Sequence, residues 1–242
     1  MPGRRVHRKW SRRLGVPDDV SRAVDELIDR GCVVELRLSC KPEANLRILG
    51  RRPEERRAAK RPCCYIVHYP DGTTGLRCEV GHDWIKSGWV KLAFKLALAA
   101  PPQRRVPNWV SPAAGGFALV ALAFYRKFGV NGVKAFLLHG ILDHTSTLLG
   151  KYGPGQALVR GIAWLKCGGD KKCMEHAERK PLEHWLRREC GWLRYLHPDI
   201  AEKLGIPVDE AAYSVIEDAV KEILELIASR SDEVLSDLLC EK

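Results

Sequence analysis

The most constraining feature of this chain lies between residues 113 and 150, in the segments "AAGGFALVALAFY" and "KAFLLHGILDHTSTLLG". The first, at 113–125, is too short for a bilayer core of about 30 Å and holds two glycines, which makes it a buried helix. The second, at 134–150, sets Phe136, Leu137, Leu138, Ile141, Leu142 and Leu148 around His139, Asp143 and His144. The spacing predicts helices over 113–129 and 131–149, and any fold must find cover for both. His139 and Asp143 are i and i+4, so they face the same way. A carboxylate buried on such a helix is costly unless it is paired or binds a metal. His144 points about 100° away and reads as a partly exposed histidine.

The rest of the chain divides by period. Residues 5–14 form a short basic helix. "GVPDDVSRAVDELIDRG" (15–31) is a second, with Asp18 or Asp19 as cap, a stripe of Val20, Ala23, Val24, Leu27 and Ile28, and Gly31 as its stop. "CVVELRLSC" (32–40) alternates like a strand, and a basic, proline-containing loop follows. "CCYIVHYPDGTTGLRCEV" (63–80) reads as two strands around a Pro-Asp-Gly turn, with Cys63 or Cys64 across from Cys78. From Gly81 onward the pattern is helical: 83–100, then, after the proline-punctuated 101–112 and the two apolar helices, 156–167, 180–196, 208–229 and 232–240. The expected architecture is mainly α, with a small β-hairpin inserted at about 32–80 in a domain of residues 1–155. A C-terminal helical region, 156–242, packs on it.

Composition narrows the class. An apolar content of 45% with 29% charged residues suits a soluble globular protein. "MPGRRVHRKW" has positive charge but no apolar run behind it, so the expected location is cytoplasmic and no membrane partner is expected. The formal charge of +10 favours anionic partners. Asn and Gln are rare while Arg, Lys and Glu abound, the composition of a hyperthermophile. Such organisms keep intracellular disulfides, so the nine cysteines read as structural before catalytic.

One short motif carries chemistry. In "EVGHDWIKSGW" (79–89), Lys86 is i+4 from His82 and i+3 from Asp83 on a helix that opens there. A cation held by His82 and Asp83 polarises a phosphoryl oxygen and lowers the pKa of a bound water, and Lys86 neutralises the phosphate. The alternative is a helix N-terminus with a weak surface pair between Asp83 and Lys86.

An early histidine, a His-Asp doublet, a lysine four residues after that histidine and a later helical aspartate together resemble the HD-domain superfamily of helical, metal-dependent phosphohydrolases, here as a divergent archaeal-type member. The resemblance covers roughly residues 5–150. It implies an HD-like helical bundle with metal ligands at His7 in "VHRKW", His82 and Asp83 in "GHDWIK" and Asp143 in "HGILDH". Asp83 and Lys86 then act in catalysis, and His139 occupies the position some members use for a second metal or the phosphate. Trp84 and Ile85 stand where the family often has an aliphatic residue and glycine. The 74-residue gap between His7 and His82 is a further departure. Imidazole with carboxylate implies a divalent transition metal, namely Mn, Fe, Co, Ni or Zn. The substrate that the resemblance implies is a nucleotide or another phosphoester.

A rival reading has no catalysis. Arg4, Arg5, Arg8, Arg12 and Arg13, with the basic run at 51–61, then contact the phosphates of a nucleic acid or ribonucleoprotein. Arg187, Arg188 and Arg194 interleave with Trp185, Trp192 and Tyr195, which is either a stacking surface or an amphipathic helix with its aromatics in the core. Cys167, Cys173, His176, His184 and Cys190 lack a common zinc spacing, and a disulfide among these cysteines is the expectation.

Overall fold

In the computed structural model two helices, α1 (Arg4–Arg13) and α2 (Asp18–Arg30), lead into four antiparallel strands. The structure describes residues 2–38, 45–51, 63–80, 91, 95, 110–175, 179–206 and 208–240. The strands are β1 (Cys32–Leu38), β2 (Asn45–Arg51), β3 (Cys63–His68) and β4 (Thr74–Val80), in the order β2-β1-β4-β3. Helices follow: α3 (Pro112–Leu149), α4 (Pro154–Cys167), α5 (Lys171–Met174), α6 (Leu182–Arg187), a 3-10 turn (Leu193–Tyr195), α7 (Pro198–Leu204), α8 (Glu210–Ser229) and α9 (Ser231–Cys240). The described chain is mainly helical with one small antiparallel sheet.

The sheet is larger than the hairpin expected from sequence. β2 lies in the stretch read as a basic loop, where Leu46 and Ile48 point inward and Arg47 and Leu49 outward. Prolines and arginines on both sides hide this short alternation, and tertiary packing on α2 and α3 decides it. The Pro70-Asp71-Gly72 turn forms as expected. Gly72 takes φ 77°, and Tyr69 N–H donates to the Thr73 carbonyl. The register sets Cys64 opposite Cys78, and the two form a disulfide. Glu35 and Arg77 are also directly opposite, and the guanidinium donates to the carboxylate at 2.6 Å.

α3 is the centre of the molecule. Its apolar residues lie around the helix rather than on one stripe, and most are buried, against α1, α2, α4, α8 and β2, while Arg126, Lys127 and Thr147 are exposed. The two predicted apolar helices are one element whose only non-helical residue is Gly129, at φ 65°. By length and composition alone α3 is apolar enough to cross a membrane, yet here it is largely buried within the protein. Its N-cap, Ser111, bonds to Asp170 of the α4–α5 turn, and Ser111 N–H donates to the Tyr195 hydroxyl. The Cys167–Cys173 disulfide closes the same turn.

Two further expectations are corrected. The helix read over 180–196 stops at Arg187, because Lys166 of α4 captures the chain. Its ammonium donates to the carbonyls of Leu186 and Arg188 at 3.3 and 2.6 Å, and Trp192 Nε1–H donates to the Leu165 carbonyl. Trp185, Trp192 and Leu196 are core residues, which fits the amphipathic alternative. Asp18 does not cap α2: Pro17 holds that position, and both Asp18 oxygens accept from Arg12.

Close packing of α3 on α4 has a test. A Cβ at Gly140 would lie 2.4 Å from the Trp164 ring. Gly to Ala inside a helix ordinarily stabilises by about 1 kcal/mol. Here overpacking costs about 1–3 kcal/mol, so Gly140→Ala is expected to lower Tm, and a raised Tm by calorimetry contradicts this contact.

Candidate metal centre

Three helices deliver five ionisable side chains to one buried place. On α1, His7 shares the inward face with Val6, Trp10 and Ser11. That face is fixed from the C-terminus: Trp10 Nε1–H donates to Asp237 at 2.9 Å, Lys9 pairs with Asp237, and Arg13 makes two bonds to Glu233. On α2, Asp25 and Asp29 are one turn apart beside the apolar stripe. On α3, His139 and Asp143 repeat that spacing.

His139 lies at the middle. Its Nδ1 is 2.9 Å from Asp25 Oδ1, and its Nε2 is 3.4 Å from Asp143 Oδ2 and 3.5 Å from Asp29 Oδ1. His7 Nε2 is 3.3 Å from Asp143 Oδ1, and its Nδ1 is 3.7 Å from Asp25 Oδ1. The two imidazole rings touch, with centroids 4.1 Å apart. His7, Asp25, His139 and Asp143 are at most 3% exposed. Potential ligand atoms of His7, Asp25 and His139, and separately of Asp29, His139 and Asp143, lie within 4.8 Å of one another.

The electrostatics favour a cation. Three carboxylates face two imidazoles, and burial makes net charge expensive. Burial lowers the His139 pKa, but the Asp143 and Asp25 carboxylates outweigh it and push the imidazole up to about 9. Burial raises the Asp143 pKa, and His139 and His7 outweigh it in turn, holding the carboxyl well below the usual range. Neither ring nitrogen of His7 has a hydrogen-bond partner, nor does His139 Nε2. A metal ion is one partner that can complete buried ring nitrogens left in this way beside carboxylates. These buried His and Asp groups can hold a metal ion.

The structure therefore brings together His7, His139 and Asp143 of the residues singled out from sequence. His82, Asp83 and Lys86 lie outside the described residues. Arg12 and Arg13 are spent on Asp18 and Glu233, Arg4 and Arg8 are half-buried, and Arg5 is exposed. Asp25 and Asp29 were not anticipated. Their signal was the same i, i+4 spacing that marked His139 and Asp143, but on a helix polar enough for both to pass as surface residues. Comparison with protein-family models, curated proteins and solved structures finds no match.

The pKa of His139 fixes a sign. Raised in the fold from about 6.5, it contributes stability that is present in full below pH 6.5 and is lost as pH rises through about 9. The contribution is on the order of 3 kcal/mol. After chelator treatment, Tm is expected to fall between pH 6.5 and 9.5, less so in His139→Gln. Equal slopes in the two proteins contradict a protonated His139 in the metal-free state.

Proposed function

We propose that the chain is a metal-dependent phosphohydrolase of HD character, acting on a nucleotide or another phosphoester. The observation that carries this reading is the convergence of His7, Asp25, Asp29, His139 and Asp143, with both His7 ring nitrogens and His139 Nε2 buried and without a hydrogen bond. His139 Nε2, Asp29 and Asp143 form the ligand set, with His7 against Asp143. Asp25 is the positioning residue: accepting from His139 Nδ1–H, it fixes the tautomer that turns the Nε2 lone pair toward the ligand set. The donor set suits Mn, Fe, Co, Ni or Zn. Such an ion supplies Lewis-acid activation of water and neutralises charge on a phosphoryl oxygen. The resemblance adds His82 and Asp83 as ligands and Lys86 as the phosphate-neutralising cation.

The apolar walls around α3 exclude water from the inner side of the cluster and strengthen every charge interaction there. Asp29, with a side chain 25% exposed against 2% for Asp143, marks the side from which substrate approaches. The nucleic-acid reading has weaker support, because two of its five arginines already serve α1 as bidentate ion pairs.

Protein purified without chelator is expected to carry about one or two transition-metal ions per chain by mass spectrometry, and to hydrolyse a phosphoester from a nucleotide panel. Asp143→Asn and the Asp83→Ala/Asp143→Ala double variant lose both. Asp25→Asn weakens metal affinity about 10–100-fold, the usual effect of removing a carboxylate that orients a ligating histidine. Unchanged metal content in the Asp143 variants overturns the site. So does failure of added Mn, Ni and Zn to bind the wild-type chain.

A further inference from the structure

A cavity of about 980 Å³ opens between the end of α4, the segment after α6, α7 and α8. None of its lining residues belongs to the His/Asp cluster. Its wall contains Lys166, which is 6% exposed. That ammonium donates to two backbone carbonyls and has no carboxylate at ion-pair distance among the described residues. Cys190, beside it in the wall, is no counter-ion: burial pushes the thiol up to about 11, so it stays neutral at pH 7. Burial also lowers the Lys166 pKa, the direction expected of an ammonium with nothing to neutralise it.

The remaining lining extends the same imbalance. Arg188 and Lys203 line the cavity, are exposed, and have no ion-pair partner among the described residues. With Arg194 and Lys221 the wall holds five Lys or Arg against Glu189, Asp199 and Glu217. The surplus of two positive charges is equal in magnitude and opposite in sign to the charge of a phosphate monoester dianion. Apolar side chains line the cavity as well: Leu193, Ile200, Tyr213 and Leu224 offer surface for a ring or a short carbon body.

We infer that this cavity is a second ligand site, for a small phosphate-bearing organic molecule. Its phosphate is neutralised by Lys166 with Arg188 and Lys203, and its body lies on Leu193, Ile200 and Tyr213. A buried ammonium is tolerated in the free protein through its two carbonyls. A dianion adds the missing charge and a further charge-assisted bond. The inference is independent of the proposed hydrolase chemistry, since it uses other residues at another place.

Phenylphosphonate is the probe, because it has the ring and the charge but no ester bond to hydrolyse. Calorimetric titration of the full chain is expected to show one saturable site, with inorganic phosphate weaker. Arg188→Gln, at an exposed position, weakens binding about tenfold, the loss of one charge-assisted hydrogen bond. Lys166→Met, which keeps the stem and removes the charge, abolishes it. Asp143→Asn leaves it unchanged. No saturable binding, equal affinity in the Arg188 variant, or loss in Asp143→Asn instead each overturns the inference. Equal affinity for inorganic phosphate overturns the organic ligand.

Discussion

A long helix with apolar residues around most of its surface needs cover on several sides, and α3 imposes that demand on what packs against it. Helices α1, α2, α4 and α8 and strand β2 supply the cover. In its fully buried stretch, 135–143, two successive turns of α3 nevertheless carry an ionisable group, His139 and Asp143. The helices that cover that place must match the charge, and they do so with His7 from α1 and with Asp25 and Asp29 from α2. The cluster is thus a consequence of the same burial that makes the core.

Burying such a group of charges is a weak route to stability. Each ion forfeits several kcal/mol of hydration, and mutual attraction repays this only with complete hydrogen bonding. Here the bonding is incomplete, since both nitrogens of His7 and one of His139 lack partners. The fold meanwhile spends specific interactions on holding α1 in place, through Trp10, Lys9 and Arg13 to α9. A chain selected for stability alone would put an apolar residue at position 7. Holding a polar and under-bonded histidine so firmly fits the proposal that the site takes a ligand.

Much of this was legible in residue spacing. The helical face of His139 and Asp143, the Pro-Asp-Gly turn and the helix over 208–229 follow from period and turn chemistry, and the structure has each. The missed features have one cause: contacts between residues distant in sequence. Strand β2 is ordered by its neighbours, the helix after Lys180 is cut short by Lys166, and Asp25 and Asp29 acquire meaning only when α2 meets α3. No local pattern contains those contacts. The His82-Asp83 doublet, the sharpest motif in the sequence, lies outside the described residues, so the proposed metal centre stands on the other five side chains.

The central claim is that these five side chains build a metal site, with His139 Nε2, Asp29 and Asp143 as its ligands. Crystals grown with manganese, measured at its absorption edge, test this most directly. The account predicts an anomalous peak between His139 Nε2, Asp29 and Asp143, with Asp25 bonded to the far side of the imidazole. A map with no peak there, and with the carboxylates closed onto His7 and His139 as a fully hydrogen-bonded ion cluster, contradicts it.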